Sequence, residues 1–166
     1  MKTLSRLMFA AFILFALFVL YLALKPPKNT ANWQPQYKVL PSIRMKGDKI
    51  SILNIRDFTY NNDGSINKAH YLNQDYLLSD FKQAWYGISH FSKNNLAHVF
   101  ISFEFKNDQF LIVSIEARLE EKHINGYNLI KGAFRAFNKA VVLATERDAI
   151  GLRTHIRKER VHYINS

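Results

Sequence analysis

Residues 7–24 read LMFAAFILFALFVLYLAL, eighteen consecutive positions without a charge. Such a segment has no polar face to turn towards water. As an α-helix it rises about 27 Å, close to the roughly 30 Å hydrocarbon core of a bilayer. Arg6 and Lys25 bracket the run and can snorkel to the headgroups, and Tyr21 stands where an amphipathic ring prefers to lie. A cleaved signal peptide would have an apolar region of only about 7–15 residues followed by a small-x-small site. The exit here is YLALKPPKN, and there is no cysteine for a lipoprotein anchor. The sequence therefore predicts an uncleaved, single-pass signal-anchor over residues 7–24, preceded by a short basic tail over 1–6. Lys2 and Arg6 on one side and Lys25 and Lys28 on the other give the positive-inside rule little contrast. A short basic tail usually stays inside, which places the body outside the cytoplasm.

The rest of the 166-residue chain is one domain of ordinary size. Hydrophobic residues make up 48% of the whole and aromatics 14%, enough to build a packed core. The net charge is +10, but four of the basic residues flank the apolar run, so the remainder carries only about +6. That excess suits an anionic lipid surface. Nucleic acid is not expected as a partner, because there is no RNA-binding motif, no zinc-finger spacing and no helix with regularly spaced phosphate-facing basic residues. The absence of cysteine removes disulfides, thiolate metal sites and a thiol nucleophile. The six histidines show no metal-ligand spacing, and no nucleotide or cofactor motif appears, so no metal or cofactor is expected.

Prolines and asparagines make residues 25–32 a linker, and the domain is expected over 33–166. KISILNIRDF (49–58) reads as a first strand and NNDGS (61–65) as a turn. DYLLSDFKQAWY (75–86) reads as a short helix capped by Asp75 and running into a strand. HVFISFEF (98–105) alternates strictly, with Val99, Ile101, Phe103 and Phe105 on one face. FLIVSIEARL (110–119) follows after a tight turn, making a β-hairpin. GYNLIKGAFRAFN (126–138) reads as a helix, KAVVLATE (139–146) as a buried strand, RDAIGLRTHIRKER as a helix and RVHYIN as a last strand. The order βαββαβαβ implies an α+β domain around a central antiparallel hairpin.

The register of the hairpin decides what its polar residues do. A two-residue loop, Asn107–Asp108, presses Ser114, Glu116 and Arg118 among aliphatics. A three-residue loop, Asn107–Gln109, sets Ser102 opposite Ser114 and His98 opposite Arg118, with Glu116 diagonal to His98. The second gathers all the polar groups on one face and is preferred, since unpartnered polar groups are costly in a core. His98 beside Glu116 is how a general base is oriented by a carboxylate. A hydrogen-bonded structural histidine at a strand end is the plainer alternative. Arg118 is a candidate contact for an anionic group, or one half of a rim ion pair with Glu116. Ser102 lies about 13 Å along the strand from His98, too far to be its nucleophile, and Ser114 opposite it is expected to be equally remote. Arg147, between Glu146 and Asp148, looks like a local salt-bridge hub, and Arg153, Arg157 and Arg160 fall on a helix face that is solvated or meets lipid phosphates.

In chain order, NIRDF (54–58), AHVFISFEF (97–105), SIEAR (114–118), KGAFRAF (131–137), ATERD (144–148) and LRT (152–154) are similar to the Lnb N-terminal periplasmic domain family over roughly residues 33–163. The resemblance implies a bacterial inner-membrane protein with its domain in the periplasm. It implies a fold akin to part of a circularly permuted papain-like, NlpC-type thiol enzyme, and an activity of lipoprotein N-acyltransfer. His98 matches the family's histidine and Glu116 the orienting position; Arg118 stays a candidate substrate contact from the residues alone. Membrane lipid and bacterial lipoproteins are the implied partners. The family's cysteine lies on a later helix. This chain has none, so it is expected to be incomplete for catalysis as it stands, either as a truncated copy or as a chain whose missing half lies on another chain. The alternative is a non-catalytic protein that binds lipid or lipoprotein.

Overall fold

The structure, a computed structural model, describes residues 2–28, 30–91, 96–124 and 126–165. The Asn94–Asn95 lead-in to the histidine strand lies outside the described residues, as do Met1 and Ser166. The apolar run forms helix α1 (Lys2–Leu24). None of its spanning window is buried against the domain, which is how a segment meant for lipid rather than a protein core packs. A single turn, α2 (Pro35–Lys38), follows.

Four strands come next: β1 (Ser42–Lys46), β2 (Lys49–Arg56), and the short hairpin β3 (Thr59–Tyr60) and β4 (Ile66–Lys68). β1 and the β3–β4 hairpin are not foreseen by the sequence reading. β1 alternates with exposed side chains on both faces, so burial leaves no pattern to read. The helix expected over 75–86 is absent. That stretch holds β5 (Tyr71–Leu77), a 3₁₀ turn (Leu78–Asp80) and β6 (Phe81–His90). Asp75 caps nothing; it pairs with Lys49 across β2 and β5. The helical spacing of Leu78, Phe81 and Trp85 lost to cross-strand pairing, the usual outcome when tertiary partners compete with weak local propensity.

The histidine strand β7 (Ala97–Phe105) and its partner β8 (Gln109–Arg118) form the expected hairpin. Helix α3 (Leu129–Ala133) is shorter than predicted, because the chain turns at Arg135, whose φ is 51°. Strand β9 (Asn138–Ala144), helix α4 (Glu146–Gly151), a π-helical turn (Leu152–Ile156) and β10 (Arg160–Asn165) complete the chain.

The main sheet runs β1-β2-β9-β8-β7-β6-β10, with β5 also paired to β2. All its pairs are antiparallel except β2 with β9, joined at Arg56 and Ala144. This is a mixed α+β domain with an N-terminal apolar helix. Two cores lie on opposite faces of the central strands. One holds Trp33, Tyr37, Phe100, Ile112, Val142 and Ala149. The other holds Ile52, Ile55, Tyr76, Phe105, Leu111 and Leu143. Neighbours in sequence, such as Leu111 and Ile112, serve opposite cores because strand side chains alternate. Phe100, 1% exposed, is the most deeply buried ring of the first core. Full burial of such a side chain contributes about 1.5–3 kcal/mol. Gly87 stands opposite it on β6, and a Cβ there would come within 2.2 Å of the Phe100 ring.

The hairpin register is neither of the two weighed from sequence. The loop does hold three residues, but they are Lys106–Asp108, and Phe105 faces Gln109. Ser102 is opposite Ile112 and Ser114 is opposite Phe100. Asn107 and Asp108 take left-handed backbone, with φ of 58° and 54°. Their short polar side chains tolerate it. The observed register differs from the preferred one by two residues of offset, so each side chain keeps its face. Carried beyond the last ladder pair, it sets Glu116 level with His98 rather than diagonal to it.

Candidate functional site

β7 and β8 bring the polar side chains of the hairpin to the face of the first core. His98 Nε2 lies 2.7 Å from Ser114 Oγ. Ser114 was expected to be too far from His98. The shifted register moves it two positions closer, and Ser114 becomes the direct partner. Ser114 Oγ in turn donates to Glu116 Oε1 at 3.1 Å. The result is a continuous chain from imidazole through hydroxyl to carboxylate.

Two side chains from elsewhere complete the Glu116 shell. Tyr37, buried at the end of α2, donates its hydroxyl to Glu116 Oε2 at 3.1 Å. Arg153, from the π-helical turn, donates from Nη2 to Oε1 at 3.3 Å. Its other amine donates to the Ala149 carbonyl at 2.7 Å, and its guanidinium lies 5.2 Å from the Phe100 ring centroid. Arg153 is therefore buried and structural at its base, correcting the expectation of a solvated or lipid-facing side chain. The arginine was legible in one respect: Ala149, Leu152 and Arg153 recur at three- and four-residue spacing, the stripe a helix turns inward.

Electrostatics assign the protons. Burial opposes ionisation of Glu116, but Arg56, Arg153, His98 and the Tyr37 hydroxyl together hold its carboxyl below the ordinary carboxylate range. An ionised Glu116 only accepts, so the Ser114 proton points at it. Ser114 then has only lone pairs for His98, and His98 must donate from Nε2–H. Burial lowers the His98 pKa first and the Arg153 charge lowers it further, with Glu116 opposing. The imidazole is thus neutral near pH 7, carrying its proton on Nε2 and a lone pair on Nδ1. Among the described residues Nδ1 has no hydrogen-bond partner. Burial and the adjacent Glu116 charge push the Tyr37 phenol well up, so it stays a donor.

The other serines of this face have their own carboxylates. Ser102 donates to Glu146 at 2.9 Å, and Ser89 to Glu159 at 2.5 Å. Ser102 makes no hydrogen bond to His98. Arg118, the sequence candidate for an anion contact, donates twice to the Tyr37 carbonyl, at 3.1 and 3.0 Å, and stacks 4.1 Å from the Trp33 ring centroid. Among the described residues it makes no hydrogen bond to His98 or Glu116. It braces the segment that carries Tyr37.

A second polar cluster fixes α4. Asp148, 0% exposed, accepts from Arg56 at 2.8 and 3.1 Å, from the Phe58 amide at 2.9 Å and from the Tyr60 hydroxyl at 3.0 Å. Thr145 caps the helix by accepting from the Asp148 amide. Arg147 pairs with Asp57, which also accepts from Thr145 at 2.7 Å. The local hub expected of Glu146, Arg147 and Asp148 is therefore not formed. Each reaches a distant partner: Ser102, Asp57 and Arg56. This cluster pins α4 to β2 and so sets where the π-helical turn delivers Arg153. Such turns recur at functional sites because the extra residue re-aims side chains. A shallow crevice between Gln36, Leu40, Asn54 and Val142 opens elsewhere, and His98 does not line it.

The motifs around this site can be compared with known proteins. No curated protein and no solved structure matches the chain. The sequence model of the Lnb N-terminal periplasmic domain matches residues 67–165, which include every strand and helix from β5 to β10 and so His98, Ser114, Glu116 and Arg153. That match spans more than half of the sequence, and the chain belongs to the Lnb N-terminal periplasmic domain family.

Proposed function

We propose that this domain supplies the base half of a thiol-dependent acyl transfer to lipoprotein amino termini, at the periplasmic surface of a bacterial inner membrane. The observation that carries the reading is the imidazole–hydroxyl–carboxylate chain of His98, Ser114 and Glu116, with Nδ1 unpartnered among the described residues. A base needs a fixed tautomer and a free lone pair; this chain fixes the tautomer, and burial keeps the ring in its unprotonated form. His98 is the base. Ser114 and Glu116 position it, with Tyr37 and Arg153 holding Glu116. The order of a histidine strand followed by an orienting strand also accords with a permuted papain-like thiol enzyme.

The chemistry requires a thiol, and the chain has no cysteine, so the thiol comes from another polypeptide segment. Nδ1 takes the thiol proton, and the thiolate attacks the acyl carbonyl of the donor. The bond to the leaving group breaks, and the imidazolium returns the proton to it. The lipoprotein amine then attacks the thioester, the C–S bond breaks, and the thiol is regenerated.

The test is made in the bacterium that carries the protein. Lipoprotein amino termini are analysed by mass spectrometry in the wild type, a deletion strain and a His98→Ala strain. Loss of the amide-linked acyl chain in both mutants is expected. Acylation unchanged in both refutes acyl transfer, and a deletion defect in lipoprotein location with intact acylation points to a binding protein instead. Acylation lost only in the deletion strain removes His98 from the chemistry.

A further inference from the structure

The strand ends nearest the site are tied to the membrane helix, and the tie involves a patch of apolar side chains that the domain leaves uncovered. Ile124, Tyr127, Leu129, Ile130 and Phe134 are all exposed, Ile124 by 87% and Ile130 by 70%. They lie within eleven residues of one another, around α3, where a water-soluble domain normally puts polar groups. Lys131 lies among them and Arg135 directly follows them.

This segment lies beside α1. The Phe134 ring packs edge-on against Phe18, with centroids 5.9 Å apart. Arg135 Nη1 donates to the Leu22 and Ala23 carbonyls at 2.6 and 2.8 Å. Those are among the last carbonyls of α1, which no intrahelical amide can reach. Phe18 stands six residues before the helix end, which is about 9 Å along the axis. A ring touching it lies below the level at which the helix leaves the apolar layer, while the arginine stays at that level. Apolar side chains inward and cations at the boundary are the pattern of an interfacial segment.

The connection is not a loose tether. The Lys28 amide donates to Asn138 Oδ1 at 3.2 Å, and Asn138 Nδ2 donates back to the Lys28 carbonyl at 2.6 Å. Lys28 Nζ also pairs with Glu120 at 2.6 Å. Lys28 and Lys122 hold the Glu120 carboxyl down to about 2. The linker expected over 25–32 is thus clamped to the ends of β8 and β9 a few residues after α1.

We infer that Ile124 and residues 126–135 are a second, interfacial membrane contact, with their apolar side chains inserted in the acyl layer of the leaflet at the C-terminal end of α1. The occupant of this surface is bilayer lipid, argued from its continuity with the spanning helix. The inference stands on the α1 contacts and not on the acyl-transfer reading. It fixes the tilt of the domain. Asn138 pairs with Arg118, and Glu116 is two residues further along β8. The Glu116 end of the His98–Ser114–Glu116 chain therefore lies about 7 Å of strand from the clamp and Ser114 about 13 Å, towards the membrane-proximal end of the sheet.

The chain has no native cysteine, so single cysteines can be introduced without background. Full-length Ile124→Cys, Ile130→Cys and, as control, Lys46→Cys are spin-labelled and reconstituted in vesicles of phosphatidylethanolamine and phosphatidylglycerol. Collision with oxygen, which partitions into lipid, is compared with collision with a water-soluble nickel chelate. Oxygen is expected to dominate at 124 and 130 and the chelate at 46. Chelate accessibility at 124 and 130 matching the control overturns the inference. So does low accessibility to both reagents, which would mean that protein, such as a second copy, covers the patch. The labelled sites are exposed, and an unchanged circular dichroism spectrum verifies the fold of each variant.

Discussion

Glu116→Gln is the sharpest perturbation of the site. It preserves shape and removes one charge. Glu116 is the shared acceptor of Ser114, Tyr37 and Arg153, at 3.1, 3.1 and 3.3 Å. Arg153, 5% exposed, then loses the carboxylate it pairs with among the described residues. Breaking a buried pair by removing one member costs about 3–5 kcal/mol. Two features reduce that here. Arg153 keeps the Ala149 carbonyl and the Phe100 ring, and the Gln carbonyl still accepts one hydrogen bond. The amide's own N–H₂, however, must face donors. A net loss of about 2–3 kcal/mol is expected, the size of one or two charged hydrogen bonds. For a domain of this size it lowers the melting temperature by roughly 8–12 °C. The assay is denaturant unfolding of the full chain in detergent, followed by circular dichroism, alongside NMR titration of the His98 ring. The charge of Glu116 favours the imidazolium, so its removal moves the His98 midpoint further down. A stability change below about 0.5 kcal/mol, the range of an ordinary surface substitution, together with an unmoved His98 titration, refutes the assignment of Glu116 as the orienter.

Two further outcomes follow from the same geometry. Asp148→Asn leaves the buried Arg56 guanidinium without its carboxylate and is expected to cost about 3–5 kcal/mol, read as a lower denaturation midpoint at unchanged slope. Acidification destabilises the domain in two windows. The folded His98 pKa lies below the ordinary 6.5, so the unfolded chain takes up its proton first and stability falls as the pH drops below 6.5. The folded Glu116 pKa lies below the ordinary 4.5, so its contribution is present above that value and is lost as the pH falls further. His98→Gln should flatten only the upper window in a pH series of unfolding free energies.

Some of this was readable along the chain because the signals are local. Eighteen uncharged apolar residues admit few structures other than a spanning helix. Strict alternation in HVFISFEF made β7 and its faces legible, since side-chain parity depends on the strand alone. Parity also explains why His98, Ser114 and Glu116 were correctly gathered on one face although the register was misjudged.

What the sequence left open depends on pairing between distant segments. Register is set by the loop and by how β6 and β9 flank the hairpin, and a two-residue offset carried Ser114 from opposite Ser102 to within 2.7 Å of His98. Tyr37 and Arg153 reach Glu116 from 79 and 37 residues away, and Arg56 meets Asp148 across 92. No periodicity encodes such contacts, because they follow from which cores the sheet closes over. The membrane helix was determined by the sequence alone. Only the tertiary structure decided that Arg135 binds its last carbonyls and that Asn138 binds Lys28 just beyond it, because those contacts join segments more than a hundred residues apart.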